Sequence, residues 1–595
     1  MESFASFLKF LFRYRQGLVN KVMFYVSMIC ALTVIIHVGY ITNPDIAIYT
    51  SKSISCMFYG LFLLELARTG SAIYAGRRIN VSHYSGIVVV IFFMLIVFSR
   101  LSSTSSLSYF NRDEWMYFCI GFIFLSELSK RSLFFDNFYF NPTILFVISF
   151  IGLILIGALL LMLPRTALFA PLSFVDALFM ATSAVCITGL SVTDISTNFS
   201  MFGQTVILLL IQVGGLGIMT FTGFFGYFFS GGFSYKNQLM FGEILGENKL
   251  NSVISTLLKI IYITLLFELI GAIFIYFSIE SSHFESVGSK VFFSIFHAVS
   301  SFCNSGFTIL KDGVTNDDYR FNYSFQIILT LIFVLGGMGF GVVYNFYTYL
   351  RSQINAVITA VVEKKMYKHK AQVFSFNTKF IVLCNVIVLV LATVSYYILE
   401  QKHTLIGDTS ASGEWVTSFF MANASRSAGF NSINISFVSI PTLIMITTLM
   451  WIGVAPGSTG GGVKVTTVAL AIMNIFALAR GKESIEIFRR KIAAESINKA
   501  FAIIILSVVM ITFSFILLNV TDPNQEMIPL LFECVSSYTT CGLSMGITPL
   551  LSPAGKLIII FTMFVGRVGM LTLLVAFIKN TRNKSYIYPT EKILF

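Results

Sequence analysis

The chain is 595 residues long, 56% hydrophobic and only 11% charged, with a mean hydropathy of +0.83 and a formal net charge of +12. A soluble protein carries about 25% charged residues, so this composition excludes a soluble domain and indicates an all-α polytopic membrane protein. The apolar runs do not alternate with polar residues, which argues against a transmembrane β-barrel, and the scattered cysteines form no C-x-x-C pair with histidine partners at ligand spacing, which argues against a metal site.

Runs long enough to span a hydrocarbon core of about 30 Å predict about twelve helices. Four come first, near 22–42, 45–66, 84–100 and 114–128, within an N-terminal unit, 1–140. No small-residue cleavage site follows the first apolar run, so no signal peptide is expected. Beyond 140 the pattern becomes fourfold, in units 141–235, 236–355, 356–490 and 491–595. Each unit has a pair of spans: 142–163 with 200–229, 252–279 with 321–350, 376–400 with 437–476, and 498–520 with 553–579. Between the members of each pair lies a half-length apolar segment, 172–186, 289–302, 413–425 or 526–539. Such a segment is too short to cross a bilayer and has the length of a re-entrant helix.

The four half-length segments share one motif. Phe179, Phe296, Phe419 and Phe532 each precede a glycine by ten residues: Gly189, Gly306, Gly429 and Gly542. The glycines are 117, 123 and 113 residues apart. Internal repetition at a fixed period decides architecture before any local reading, and four glycine-centred loops in one chain can close a fourfold pore. A re-entrant helix returns through non-helical backbone, which survives at membrane depth only when buried or lining a watery cavity. Glycine allows the left-handed backbone and the close approach that such a return needs. The carbonyls freed there can replace the water shell of a cation. The candidate ion-binding backbone is Ile187–Thr188–Gly189, Asn304–Ser305–Gly306, Ser427–Ala428–Gly429 and Thr540–Cys541–Gly542.

Lysine and arginine cluster at 9–21, 68–78, 130–131, 351–371, 480–499 and 579–592. Threaded through twelve spans, all of these fall on one side, which the positive-inside rule makes cytoplasmic. Both termini are then cytoplasmic and the glycine loops enter from outside. The acids expected near that mouth are Asp176, Asp194, Asp312, Asp317, Asp318, Asp408, Glu414 and Glu533. Cys186, Cys303 and Cys541, just before filter glycines, read as small packing residues.

The second span of the third unit carries Gly453, Pro456, Gly457, Gly460, Gly461 and Gly462 close together. Each glycine costs a helix about 1 kcal/mol and a proline about 3, so this span should break near mid-membrane. The broken piece, Gly457, Ser458, Thr459, Gly460, Gly461 and Gly462, is a candidate gate. Arg567 lies about 18 Å inside the cytoplasmic end of the last span. A charge there needs a partner and marks a functional site by default, so Arg567 is expected below the filter, on the loop carbonyls. Lys464 either does the same or snorkels. The glycine sets VGGLGIMT (213–220) and LGGMGFGVV (335–343) read as helix packing.

Several stretches resemble the Trk/Ktr/HKT-type potassium transporter pore subunits, the Ktr and Trk branches above all: SAVCITGLSVTD (183–194), SSFCNSGF (300–307), SRSAGF (425–430) and TTCGLSMGIT (539–548), with GALLLMLPRTA (157–167), PGSTGGGVKVTT (456–467) and VGRVGMLTLL (565–574). The resemblance runs over roughly 142–579 and leaves residues 1–140 without a role. It implies four M1–P-loop–M2 repeats around one pore, an intramembrane gating loop, a homodimer in the bacterial inner membrane, and potassium as transported substrate with no cofactor in this chain. A serine at the first filter glycine accompanies sodium transport in that family, so Gly189 implies potassium. The degenerate filter implies loose selectivity, with rubidium accepted. The resemblance also implies a cytosolic ring of nucleotide-binding regulatory subunits. No GxGxxG motif follows a predicted strand here, so nucleotide control would act in trans, through docking at 351–371, 480–499 and 579–595.

Two other classes compete. An ion-coupled symporter with alternating access also uses repeats and broken helices, but favours inverted repeats, whereas these four units share one topology. An intramembrane enzyme would need a catalytic constellation, and the six histidines form none.

Overall fold

In the computed structural model, residues 2–40, 44–74, 81–101, 113–132, 142–217, 250–362, 375–407, 410–482 and 484–577 are described. They are almost entirely helical. Helices α1 (Glu2–Tyr40), α2 (Pro44–Tyr74), α3 (Val81–Leu101) and α4 (Asp113–Ser132) form the N-terminal unit. Its own core contains Phe58, Ile96, Met116 and Ile120, and is separate from the rest.

The remaining helices follow the fourfold plan. Repeat one is α5 (Pro142–Leu161), the pore helix α6 (Phe174–Val185) and α7 (Met201–Leu216). Repeat two is α8 (Leu250–Ser278), the pore helix α9 (Val287–Phe302), α10 (Tyr323–Gly337) and α11 (Phe340–Val362). Repeat three is α12 (Phe376–Glu400), the pore helix α13 (Ala411–Ser427), α14 (Ile440–Ile452) and α15 (Val465–Ala479). A two-stranded hairpin follows, β1 (Glu486–Ile487) and β2 (Arg490–Lys491). Repeat four is α16 (Ala494–Thr521), the pore helix α17 (Met527–Thr539), α18 (Pro553–Val568) and α19 (Met570–Phe577).

The pore helices begin where their sequences cap them. Ser173, Ser286 and Ser410 accept first-turn N–H groups of α6, α9 and α13, satisfying donors that a helix start leaves open. Within each repeat the first span packs on its pore helix: α5 on α6, α8 on α9, α12 on α13 and α16 on α17. Between repeats, each second span packs on the next pore helix: α7 on α9, α10 on α13, α14 on α17, and α18 back on α6. The last contact closes the circle. Lys556 at the start of α18 seals it with an ion pair to Asp176 of α6, 2.6 Å apart. One continuous core runs through all four repeats, while residues such as Phe274, Phe277, Val390 and Ile516 stay exposed on the outer surface, as lipid-facing side chains do.

The second spans depart from expectation. Only the third was expected to break, yet all four lose helix at a left-handed glycine: Gly217 (φ 78°), Gly339 (φ 87°), Gly453 (φ 47°) and Gly569 (φ 87°). The cause is a shared tetrapeptide in repeats one, two and four: Gly214-Gly-Leu-Gly217, Gly336-Gly-Met-Gly339 and Gly566-Arg-Val-Gly569. Its first glycine lets the span touch backbone, since a Cβ on Gly214, Gly336 or Gly566 would overlap the carbonyl of Val185, Phe302 or Tyr538. The glycine sets at 213–220 and 335–343 therefore pack helices closely and also end them. Among the described residues five helices are long and apolar enough to cross a membrane unaided, six counting α10 and α11 as one bent span. Met201–Leu216, Ile440–Ile452 and Val465–Ala479, from the second spans of repeats one and three, are shorter apolar helices. Residues 218–229 of the predicted 200–229 span lie outside the described residues.

Candidate functional site

All four pore helices point their C-terminal ends at one spot. A helix C-terminus carries partial negative charge, so the arrangement offers a cation four favourable dipoles. The chain then leaves helix at the predicted residues. Ile187 (φ 57°), Asn304 (φ 58°) and Thr540 (φ 49°) take left-handed backbone two positions before their glycines. Repeat three differs: Ser427 still ends α13, and Ala428 keeps a right-handed φ of −91°. The glycines themselves have φ of 90°, 70°, 72° and 92° at Gly189, Gly306, Gly429 and Gly542.

The four glycines form a closed ring. A Cβ on Gly306 would come within 2.7 Å of the Ala428 carbonyl oxygen. On Gly189, Gly429 and Gly542 it would overlap the carbonyls of Ser305, Cys541 and Thr188 respectively. Each glycine thus faces the carbonyl just before the next glycine, and repeat four faces repeat one. The structure brings all twelve candidate filter residues together here.

A serine six residues before the glycine holds this backbone in three repeats, a feature the sequence reading did not single out. Ser183 Oγ accepts from the Gly189 N–H and Ser536 Oγ from the Gly542 N–H, both at 3.1 Å. Ser300 Oγ donates to the Phe307 carbonyl at 2.6 Å. Asn423 occupies that place in repeat three. Beside the ring, His297 Nε2 lies 2.9 Å from Thr308 Oγ1, and the Ser544 hydroxyl donates to Glu533. Both braces join the residue after the motif Phe to the residue two beyond the glycine, in repeats facing each other across the ring.

The Gly453–Lys464 segment sits directly beneath. Its glycines take left-handed backbone at 453, 457 (φ 67°) and 462 (φ 69°). Gly460 packs on Ser427, while Gly461 and Gly462 pack on Thr539 and Thr540. Thr459 Oγ1 lies 2.7 Å from the Asn304 amide and 3.2 Å from the Phe302 carbonyl. Phe340 N–H donates to the Gly457 carbonyl at 3.0 Å, and Ala455 N–H to that of Gly337 at 3.2 Å. Ser458 Oγ donates within the loop to Ala455 O at 2.6 Å. Lys464 Nζ turns inward to the carbonyls of Gly460 (2.7 Å) and Gly461 (3.3 Å) and does not snorkel. Arg567 donates to the Thr459 carbonyl through Nη1 and to the Gly214 carbonyl through Nη2, the latter at 2.9 Å. One arginine of repeat four thereby ties the loop of repeat three to the broken span of repeat one.

Arg426, two residues before Ala428, was not singled out. It is buried, and donates to the Gly453 carbonyl at 3.0 and 3.2 Å and to Asn385 Oδ1 at 2.7 Å. It thus grips the point where α14 ends. The mouth acids are dispersed: Asp176 pairs with Lys556, Asp194 caps a short turn through Ser196 N–H at 2.9 Å, and Asp408 lies outside the described residues. Among the described residues no cluster of three or more His, Cys, Asp or Glu side chains could hold a metal.

A family model described as TrkH, cation transport protein, matches residues 116–587. The Ktr system potassium uptake protein B of Bacillus subtilis is 33% identical over 455 residues, 76% of this chain and 96% of that protein. Its namesake in Vibrio alginolyticus is 32% identical over 75% of this chain and 93% of that protein. The potassium/sodium uptake protein NtpJ of Enterococcus hirae is 30% identical over 76% of this chain and 97% of that protein. Among solved structures, the potassium transporter TrkH of Vibrio parahaemolyticus matches with a TM-score of 0.58 at 16% identity, over 83% of this chain and 98% of that chain.

Proposed function

The chain belongs to the TrkH family of cation transport proteins, and from that premise we propose that it takes potassium into the cell through the ring of four filter glycines, gated by the loop at 453–464. The closed ring carries this reading. Four glycines each meet the carbonyl before the next, so a cation on the axis is offered backbone oxygens from every repeat. Relatives named for potassium uptake supply the ion. One relative is named for potassium and sodium, which makes the degree of selectivity the quantity to measure. Transport rather than catalysis is the activity, and the ion is cargo.

The loop is a gate in this reading because it lies beneath the ring and touches repeats two, three and four. The single topology of the repeats favours a gated pore over an alternating-access symporter. The basic segments are read as cytoplasmic, in a bacterial inner membrane with both termini inside. Relatives named as one lettered component of a Ktr system support a separate regulatory subunit, read here as a nucleotide-binding ring docked on 351–371, 480–499 and 579–595. Residues 363–371, 483 and 579–595 of those segments lie outside the described residues. A homodimer with one pore per protomer completes the reading.

The test is growth of a potassium-uptake-deficient bacterium on limiting potassium, with the native chain or Gly189→Ser, supplied with a regulatory subunit. Rubidium and sodium uptake are recorded alongside. Rescue by the native chain, with a shift toward sodium in the variant, is the expected result. Unchanged ion preference in Gly189→Ser would remove that glycine from the filter.

A further inference from the structure

Glu268 stands in α8, where the stretch Leu258–Ser278 has a mean hydropathy of 2.3, and it is only 6% exposed. None of the ion pairs among the described residues includes it. A carboxyl group at that depth persists only with hydrogen-bonding partners, and is a mark of function. Its partners come from two other elements. Gln212 Nε2 of α7 donates to both carboxyl oxygens at 3.1 Å. The Cys303 thiol, at the C-terminal cap of α9, lies 3.8 Å from Oε1. Gly215 makes the approach possible, since a Cβ there would overlap Cys303 Sγ.

Both partners stand one step from the loop beneath the filter. Cys303 precedes Asn304, whose amide meets Thr459 Oγ1 at 2.7 Å. Phe302 receives Thr459 Oγ1 at its carbonyl and stacks its ring on Phe267, Glu268's neighbour in sequence. Gln212 lies two residues before Gly214, whose carbonyl takes one Arg567 nitrogen while another reaches the Thr459 carbonyl. Two routes from Glu268, one through its own repeat and one through repeat one, converge on Thr459.

We propose that Glu268 is a positioning residue for ion passage, holding the second filter strand and the Thr459 end of the loop in register through Cys303 and Gln212. This rests on the potassium-pore reading above. Glu268 touches no ion; it fixes the backbone that does. A contiguous route becomes a coupling only when measured, so the test must read selectivity as well as stability.

The experiment uses the full chain in lipid vesicles, with potassium, rubidium and sodium uptake measured for native protein, Glu268→Leu, Glu268→Gln and Gln212→Leu. Losing a buried hydrogen-bond partner typically shifts an equilibrium about tenfold. Glu268→Leu should therefore raise the KM for potassium by about that factor and weaken exclusion of sodium. Glu268→Gln keeps an acceptor for Gln212 and should restore most of both. Gln212→Leu should move both quantities the same way as the leucine variant, and decides the matter if that variant does not insert. Native KM and native sodium exclusion in Gln212→Leu, or in an inserted Glu268→Leu, would overturn the proposal while native uptake stands. No potassium uptake by the native chain would overturn the pore reading and the proposal with it.

Discussion

Arg426 and Arg567 hold the start and the middle of one loop, the first through the carbonyl of Gly453 and the second through that of Thr459. Hydrogen bonds from a charged donor contribute about 1.5–3 kcal/mol each. Arg567→Gln removes the charge and the fork that spans Thr459 and Gly214, so the loop should leave its seat more often. The expected outcome is a several-fold higher maximal rate of potassium uptake with little change in the potassium-to-rubidium ratio, read as tracer flux into vesicles. Arg426→Leu acts differently. It strands the Gly453 carbonyl and Asn385 Oδ1 in a buried setting, and should lower stability by about 2 kcal/mol or more, seen as a drop in thermal unfolding temperature in detergent. The glycines are stricter still. Gly542→Ala puts a methyl group into the Thr188 carbonyl at a φ of 92°, so uptake should vanish although the protein still inserts.

How far such residues could be read in advance depended on the signal each one emits. Arg567 was legible because a charge interrupts a long apolar span. Arg426 emits the same signal inside a pore helix, and escaped because SRSAGF was read for its glycine. Ser183, Ser300 and Ser536 were hidden for another reason: serine is common in helices, and only stacking the four segments shows that three share the place six before the glycine. Glu268 stood in plain view as an acid within an apolar run, but its partners Gln212 and Cys303 come from other elements, and no one-dimensional pattern joins them.

At the scale of elements, the half-length segments were the clearest feature. The structure places helices at 174–185, 287–302, 411–427 and 527–539, within two residues of the expected bounds, because apolar length marks all four and serine caps mark the first three. The second spans were harder. Hydropathy runs straight through Gly217, Gly339 and Gly569, and a glycine costs a helix only about 1 kcal/mol. These spans end at a glycine of positive φ three residues after the glycine that packs on a pore-helix carbonyl, a tertiary arrangement that hydropathy does not register. In repeat three the glycines and proline are dense enough to declare the break locally. Deleting 457–461 from that loop removes the segment seated under Ser427 and Thr540. Cation flux should then rise and lose its dependence on nucleotide when a regulatory subunit is present; unchanged flux would remove the loop from gating.

At the scale of the molecule, the core of the four repeats and that of the N-terminal unit answer to different demands. The core of the four repeats is circular, closed by α18 on α6 and by the Lys556–Asp176 pair, so a disturbance in one repeat reaches the axis. The N-terminal unit has its own core and meets the repeats where the Arg165 N–H donates to the Gly39 carbonyl, at 3.0 Å. Within that unit Arg68 bridges Glu65 (2.6 Å) and Glu127 (2.5 Å), two acids almost fully buried. Removing one member of such a cluster leaves uncompensated charge, typically at a loss of about 3–5 kcal/mol. Arg68→Leu should therefore loosen α2 from α4 without altering the filter ring. Limited proteolysis should cut the N-terminal unit faster in the variant, while the ratio of potassium to sodium uptake stays at its native value. A changed ratio would mean that the first four helices take part in setting the pore, and that the separation of the two cores is only geometric.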